Sequence, residues 1–225
     1  MRLATILRRA TRVFATKGYR RTQMADVAKA CGVSAGNLYN YVESKEALFL
    51  ACLLATSPAG EERPDASDLP IPTPPAGAIG DAARRGALAI RRGSLLTAAL
   101  KVDEPDDAAA ELAGIIGDFF DRTAASRHFQ SLVEGSAQDL PELYDAFFTK
   151  TRGPGLRKLT EYLERRIASG HLRAVPDAAT TARLINESQA WFARHRHGDQ
   201  DTSDVDDSLA RATVVDVLVA GLLPR

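Results

Sequence analysis

The chain lacks several features that define common protein classes. Its 225 residues contain only two cysteines, Cys31 and Cys52, which are too few for a disulfide framework. Both fall on apolar faces of predicted helices, so we expect small core residues in a reducing compartment. The longest apolar run, residues 47–55, has nine residues, whereas a membrane-spanning helix needs about 20. We therefore expect a cytoplasmic protein with no membrane partner.

Motifs for catalysis and metal binding are also missing. The sequence has no G-x-S-x-G elbow, no H-E-x-x-H pair and no glycine-rich fingerprint that follows a strand. His195 and His197 are two residues apart, which on a helix places them on different sides and argues against a shared metal ion. We expect no enzyme activity, no cofactor and no metal site.

Alternating strand patterns and hairpin turns do not recur, which predicts an all-α fold. The apolar fraction of 45% and charged fraction of 26% are ordinary for a globular protein with a sizeable core. The β-branched run at residues 214–219 resembles a strand, but its continuity with the preceding residues favours a helix. The expected helices are 2–17, two short ones between Thr22 and Ser44, 45–56, 78–101, 106–125, one opening at Pro141, one from Pro154 to Gly170, one from Pro176 to about His195, and 205–221. A segment around 126–136 leads to the helix at Pro141.

Proline marks a boundary between two parts of the chain. Residues 57–77 hold six of the eleven prolines, a density that excludes a helix and predicts an extended loop. The expected domains are a small N-terminal domain at residues 1–50 with a linking helix at 45–56, and a larger helical domain at residues 78–225.

Charge is balanced overall but unevenly distributed. The chain has 29 basic and 29 acidic side chains, yet residues 1–50 hold nine basic and three acidic ones. This segment therefore carries a net charge of +6 and the remainder −6. A basic module on an acidic body is typical of nucleic-acid-binding proteins.

The stretch from Thr22 to Ser44 contains two short amphipathic phrases around Gly32. Apolar residues recur at helical spacing in each phrase, and Thr22, Ser34 and Ser44 stand where helix N-caps are needed. Glycine is favoured just past the end of a helix, where the backbone turns left-handed. Helix, glycine turn and helix form the helix-turn-helix layout, whose second helix enters the DNA major groove. The alternative is a small helix hairpin that only packs.

The outward face of the second phrase carries no charged residue. It consists of Gly36, Asn37, Tyr39, Asn40 and Tyr41. An asparagine amide pairs with adenine, a tyrosine hydroxyl reaches a phosphate, and a glycine permits close approach. A charge-free face therefore favours contact with another surface over simple solvation.

The first 50 residues resemble the TetR family of transcriptional regulators. The residues that carry the resemblance are Ile6, Leu7, Ala10, Phe14, Gly18, Tyr19, Thr22, Asp26, Val27, Ala28, Gly32, Val33, Ser34, Gly36, Leu38, Tyr39, Tyr41, Ser44, Lys45 and Leu48. The remainder is similar only in its helix lengths. Asn37 and Val42 depart from the pattern, since the family usually has threonine and phenylalanine there.

The resemblance implies specific DNA contacts. Phosphate contacts are expected from Thr22, Tyr39, Tyr41 and Lys45. Base-edge contacts are expected from Gly36, Asn37 and Asn40, with Gln23 as an outer candidate. The basic residues Arg8, Arg9 and Arg12 of the first helix either contact the phosphate backbone or form a solvated face.

The resemblance also implies a homodimer and an effector. Dimerisation is expected through the helices near 177–195 and 205–221, with double-stranded operator DNA and a small organic effector as partners. Candidate ligand-binding residues are Phe119, Phe120, His128, Phe147, Phe148, Asn186, Gln189 and Trp191. The favoured alternative for the aromatic residues is plain core, and for His128 a satisfied surface or core histidine. The predicted function is a ligand-responsive repressor that binds a palindromic operator as a dimer. The alternative is an all-α small-molecule binding protein without operator recognition.

Overall fold

The computed structural model describes residues 2–60, 64–65, 67, 69–199, 201 and 205–224. Within these ranges the regular structure is helical, without a strand, which confirms the all-α prediction. The α-helices are α1 (Leu3–Lys17), α2 (Met24–Cys31), α3 (Ala35–Leu38), α4 (Lys45–Thr56), α5 (Ala78–Arg91), α6 (Leu95–Ala99), α7 (Ala108–Ala125), α8 (Arg127–Ser136), α9 (Pro141–Tyr144), α10 (Gly153–Ala168), α11 (Ala178–Ala193) and α12 (Asp207–Leu222). No helix in these ranges is long and apolar enough to cross a membrane.

The chain divides into two compact units. Unit 1 comprises Met1–Ile90 and His128–Thr151, and unit 2 comprises Arg91–Arg127 and Arg152–Arg225. Unit 1 thus joins the helix-turn-helix segment to a later stretch of chain. The functional domain boundaries given above stay a prediction, because this division reports packing alone.

The core of unit 1 is built on the apolar stripe of α1. Ile6, Ala10 and Phe14 are fully buried, and they recur at the three- and four-residue spacing of one helix face. Phe14 packs edge-on against Phe49 of α4, with ring centroids 5.1 Å apart. This packing fixes the start of the linking helix against the first helix.

The end of α1 lies directly against α8. A Cβ added at Gly135 would stand 2.4 Å from the carbonyl oxygen of Ala15, so only glycine permits this approach. Just beyond α1, the backbone N–H of Arg20 donates to the Asp139 carboxylate at 2.8 Å. The segment after α8 therefore holds the turn that leads into α2.

Lys45 holds the same turn from the other side. Its ammonium donates to the carbonyl oxygens of Tyr19 and Thr22, each at 3.2 Å, and lies 4.4 Å from the Tyr19 ring centroid. The Tyr19 hydroxyl in turn donates to Glu46 at 2.7 Å. One lysine thus connects the first residue of α4 to the approach to α2.

Part of the proline-rich loop pairs with the residues after α3. The N–H of Ile71 donates to Tyr41 O at 2.9 Å, and Ile71 O accepts from Glu43 N at 3.0 Å. The Glu43 carboxylate also accepts from Thr73 N at 2.9 Å. This isolated bridge was not predicted, because nothing local in the sequence links residue 71 to residue 41.

The core of unit 2 is formed by α7, α10, α11 and α12. Ile115, Leu163 and Ile185 are fully buried within it. Arg166 of α10 is also buried, and it donates to Glu111 at 2.9 Å and to carbonyl oxygens at the end of α6. This network fixes α6 to the bundle, since a buried guanidinium must satisfy its donors.

Two helical segments differ from the predictions, and a third agrees with its prediction. The helix expected at 78–101 is interrupted, because Gly93 adopts a left-handed φ of 68° between α5 and α6. The residues that lead to Gly153 and Pro154 form a π-helix, Asp145–Arg152. Proline lacks the N–H that a continuous α-helix would need at its position. The run at 214–219 is helical within α12, as predicted.

Replacing Gly135 by alanine should destabilise unit 1. The new methyl group would collide with the main chain of α1, and overpacking of this kind typically costs about 1–3 kcal/mol. The midpoint of urea denaturation should fall accordingly. Gly155→Ala is the matched control, because an added Cβ there meets no atom within 4 Å. An equal effect of both substitutions would contradict the close approach.

Replacing Lys45 by methionine should also destabilise the protein. The change keeps a similar chain length but removes two hydrogen bonds and the cation–π contact, for an expected loss of about 1–2 kcal/mol. Thermal unfolding monitored by circular dichroism measures it. Lys29→Met serves as control, since Lys29 is exposed on α2. If the two variants unfold alike, Lys45 does not hold the turn.

Candidate nucleic-acid interface

Residues at the helix ends set the geometry of the helix pair α2 and α3. Gly32 ends α2 in the left-handed conformation, with φ 70° and ψ 32°, as the sequence predicts. Ser34 caps α3, because its hydroxyl accepts from Asn37 N at 3.1 Å. The α-helical part of the second phrase is short, and turn hydrogen bonds continue it, from Asn40 N to Asn37 O and from Tyr41 N to Leu38 O.

The outward face of α3 and its continuation is exposed. Gly36, Asn37 and Asn40 are exposed, and Tyr39 retains 47% of its accessible surface. The Asn40 amide donates to Asn37 Oδ1 at 3.1 Å. Asn37 therefore still presents its NH₂ donors and Asn40 its carbonyl acceptor, which together match the donor and acceptor groups of a base edge.

Gly36 has no structural reason to be glycine within the protein. A Cβ added there would meet no atom within 4 Å, and its φ is not in the left-handed region. Glycine inside a helix costs up to about 1 kcal/mol relative to alanine. A surface that approaches this backbone from outside accounts for a residue that the fold alone does not need.

Thr22 does not cap α2 as expected, and it differs from Gln23 in its exposure. Thr22 is buried, and its hydroxyl donates to Gly18 O at 2.6 Å. The N-cap of α2 is Gln23 rather than Thr22, and Gln23 N donates to Asp26 at 2.9 Å. A phosphate contact from the Thr22 hydroxyl would require it to exchange its carbonyl partner, whereas the Gln23 side chain is exposed.

Tyr41 and Lys45 are half-buried beside this face. Lys45 uses two of its three donors inside the protein, which leaves one for an external phosphate. Its neighbour Glu46 accepts from the Tyr19 hydroxyl, which holds the pKa of the Glu46 carboxyl below its usual range. Burial raises the pKa of Tyr19, so this phenol remains a donor.

The three arginines of α1 do not form one phosphate-binding face. Arg9 donates to Ala30 O of α2 at 2.9 Å. Arg8 and Arg12, which are four residues apart and share a helix face, line a cavity of unit 1 together with Tyr41. The helical spacing separates Arg9 from the other two, so the sequence contained this signal.

The predicted ligand residues fall into both compact units. In unit 1, Phe147 is buried and packs edge-on against Phe148 at 5.2 Å. His128 is exposed at the cavity that Arg8 and Arg12 line. The two phenylalanines are packed with the core of this unit, which agrees with the core interpretation given above.

In unit 2, Phe120 is buried and Phe119 is partly buried against the core. Trp191 is exposed on α11 and stacks edge-on with Phe192. Gln189 is buried, and its Nε2 donates to Asn186 O at 3.0 Å. Its Oε1 has no hydrogen-bond partner among the described residues, so it is an acceptor available to a ligand or a water molecule.

Two family models match separate parts of the chain. Residues 6–52 match the model for bacterial regulatory proteins of the tetR family. Residues 123–219 match the model for the C-terminal domain of AefR-like transcriptional repressors. Together the matches cover more than half of the chain, and both models represent regulators rather than enzymes.

A relative known by sequence matches a short stretch of the chain. Over 48 residues the chain is 46% identical to the Uncharacterized HTH-type transcriptional regulator YuxN of Bacillus subtilis (strain 168). The matched stretch spans 21% of this chain and only 16% of that protein.

Solved structures of regulators share the fold over nearly the whole chain. The ketosteroid transcriptional regulator KstR2 of Mycobacterium tuberculosis has a TM-score of 0.60 and 14% identity, covering 99% of this chain and 95% of that one. AibR, solved with isovaleryl coenzyme A and operator DNA, has a TM-score of 0.54 and 16% identity, covering 98% and 97%. Taken with the matches to both its N-terminal and C-terminal parts, this shows that the chain belongs to the TetR family of transcriptional regulators.

Proposed function

We propose that this protein is a ligand-responsive repressor that binds a palindromic operator as a homodimer. The observation that carries the proposal is the exposed, charge-free face around Gly36, Asn37 and Asn40 on a basic head. A solvated helix normally exposes charged side chains, whereas a face that reads bases exposes amides and permits close backbone approach.

Sequence reading is assigned to the two asparagines. The free NH₂ of Asn37 and the free carbonyl of Asn40 stand three residues apart and are connected by one hydrogen bond. Tyr39 and the remaining donor of Lys45 would contact phosphates, which position the head without specifying sequence. Gln23 is exposed at the start of α2 and would reach an outer contact.

Dimerisation through α11 and α12 is supported by their exposed apolar residues. Leu184 and Val217 retain 58% and 61% of their accessible surface. Leu184 and Trp191 are seven residues apart and therefore share one face of α11. The other charged side chains of α12 besides Asp216 are Asp207 and Arg211, and both form ion pairs within the chain. Twofold pairing would give operator half-sites about 35 Å apart.

An effector would act by stabilising the arrangement of the two heads that does not fit the operator. A ligand shifts such an equilibrium only through its different affinity for the two arrangements. The unpartnered Gln189 Oε1 supports a polar contact in unit 2. AibR, whose fold this chain shares, was solved with a thioester and operator DNA, which supports a regulator that binds both classes of partner. We also assign the protein to the cytoplasm, where operator DNA is found.

Substitutions on α3 should separate sequence reading from phosphate binding. Tyr39→Phe removes only a hydroxyl, so binding to every DNA sequence should weaken by a similar factor, about five- to tenfold. Asn37→Ala should cost about 1–3 kcal/mol on the preferred operator and change the ranking of operator variants. Gel-shift titrations against an operator library measure both effects.

The control for these variants is Gln138→Ala, which removes an exposed amide outside the helix pair and should leave DNA binding unchanged. Affinity of the unmodified protein should also fall steeply as salt rises, because phosphate contacts release counterions. Unchanged binding by both α3 variants would show that the recognition face is elsewhere. Absence of any salt-dependent shift would favour the small-molecule binding protein instead.

The dimer is tested by placing a charge on its proposed surface. Val217→Arg should convert the dimer to a monomer in sedimentation velocity experiments, because a buried unpaired guanidinium costs several kcal/mol. Val102→Arg is the matched control, since Val102 is similarly exposed at 46% but lies outside α11 and α12. If both variants sediment as dimers, pairing uses another surface.

A further inference from the structure

A cavity inside unit 1 is lined by His128 but by none of the other expected ligand-binding residues among the described lining. Its volume is about 820 Å³, within the range of about 300–1,000 Å³ that is usual for small-molecule sites. It runs along one face of α1 and reaches the end of α4 and the proline-rich loop. The described lining residues are Arg2, Leu3, Ala4, Leu7, Arg8, Thr11, Arg12, Tyr41, Ala55, Thr56, Pro64, Asp65, Leu69 and His128.

The charged residues at this cavity are mainly arginines. Arg2, Arg8 and Arg12 line it, against one acidic residue, Asp65. No ion pair or hydrogen bond of these three guanidinium groups occurs within the described ranges. Among the described lining residues, three cations near one carboxylate give a net positive charge, and guanidinium groups bind carboxylates and phosphates through paired hydrogen bonds.

The remaining wall is apolar or has its donors occupied. Leu3, Leu7 and Leu69 supply aliphatic surface. The Thr11 hydroxyl donates to Leu7 O at 2.8 Å and the Thr56 hydroxyl to Cys52 O at 2.8 Å. Both threonines therefore present methyl groups and lone pairs rather than donors, so an anion would depend on the arginines.

The length of the cavity favours an extended ligand. Lining residues of α1 run from Leu3 to Arg12, which at 1.5 Å per residue covers about 14 Å. Aliphatic and arginine residues alternate along this line at helical spacing. A hydrocarbon chain against Leu3 and Leu7 would thus place a terminal anion within reach of Arg8 or Arg12.

We propose that this cavity binds a single-chain amphipathic carboxylate, with its chain on the leucines of α1 and its carboxylate on Arg8 and Arg12. Such a ligand would also affect the DNA-binding surface, since Tyr41, an expected phosphate contact, lines the same cavity. Neutralising two arginines of the head would weaken attraction to DNA. This second step rests on the proposed function, whereas ligand binding itself does not.

The probe is decanoate, titrated into the full-length protein by calorimetry, with decanol and inorganic phosphate as comparisons. Decanoate should bind at least about tenfold more tightly than decanol, because the charge-assisted hydrogen bonds are lost with the carboxylate. Phosphate should not bind measurably, since it lacks the apolar chain. Equal affinity for decanol, or binding of phosphate alone, would overturn the proposal.

Two variants locate the site. The double variant Arg8→Gln, Arg12→Gln should weaken decanoate binding about tenfold or more, whereas Arg157→Gln, an exposed arginine of α10, should not. Ala4→Phe fills the cavity from an exposed position of α1 without changing charge, and should also weaken binding. Circular dichroism melting shows that each variant is folded. Wild-type affinity in both cavity variants would place decanoate elsewhere and refute the site.

A gel shift then tests the regulatory step separately. Decanoate should release the wild-type protein from DNA at concentrations that fill the cavity, and decanol should not. Calorimetric binding that depends on the arginines, without any DNA binding by the protein, would retain the cavity and refute the repressor. If decanoate binds through the arginines but leaves the protein–DNA complex intact, the proposed effect of the ligand on DNA binding is refuted.

Discussion

Burial of one apolar stripe of α1 is the constraint on which unit 1 depends. Ile6, Ala10 and Phe14 are fully buried, and Phe14 contacts Phe49 of the linking helix. Because this stripe faces the core, each of the other faces of α1 contacts a particular neighbour. Arg9 reaches α2, Arg8 and Arg12 line the cavity, and Ala15 meets α8. One helix, α1, therefore contacts α2, the cavity and the segment around Gly135.

Basic residues and uncharged exposed residues lie on different, neighbouring elements of unit 1. Basic residues are concentrated on α1 and in the turn after it, while the exposed face of α3 has amides, a phenol and a glycine. Long-range attraction to DNA would come from the first group. Discrimination between sequences would come from the second, because base edges are read by hydrogen bonds rather than net charge. Lys45 holds the turn and retains one donor, which would contact a phosphate.

The sequence predicted those parts of the fold that depend on neighbouring residues. Gly32, Ser34 and Ser44 act as predicted, because caps and turns require only local contacts. Thr22 was misassigned as an N-cap, since its hydroxyl has a competing carbonyl partner at Gly18. For the site, the exposure of Asn37 and Asn40 followed from helical spacing.

What the sequence did not predict depends on contacts between distant residues. The bridge at Ile71, the approach of Gly135 to Ala15 and the π-helix before Pro154 have no local signature. Likewise, helical spacing identified the aromatic residues but not which of them share a unit. His128 and Phe119 prove to belong to different compact units, which no periodicity within one helix indicates.

The pairing of Ile71 with the residues after α3 bears on how this protein tolerates change. Both hydrogen bonds use main-chain atoms of Ile71, so the anchor does not require a particular side chain. The entropy of closing a loop rises slowly with its length, by about 0.6 kcal/mol for each doubling. We therefore expect homologous proteins to differ in length between residues 57 and 69, while the backbone beside Tyr41 keeps its position. Changes in the length of this loop need not move the residues that follow α3.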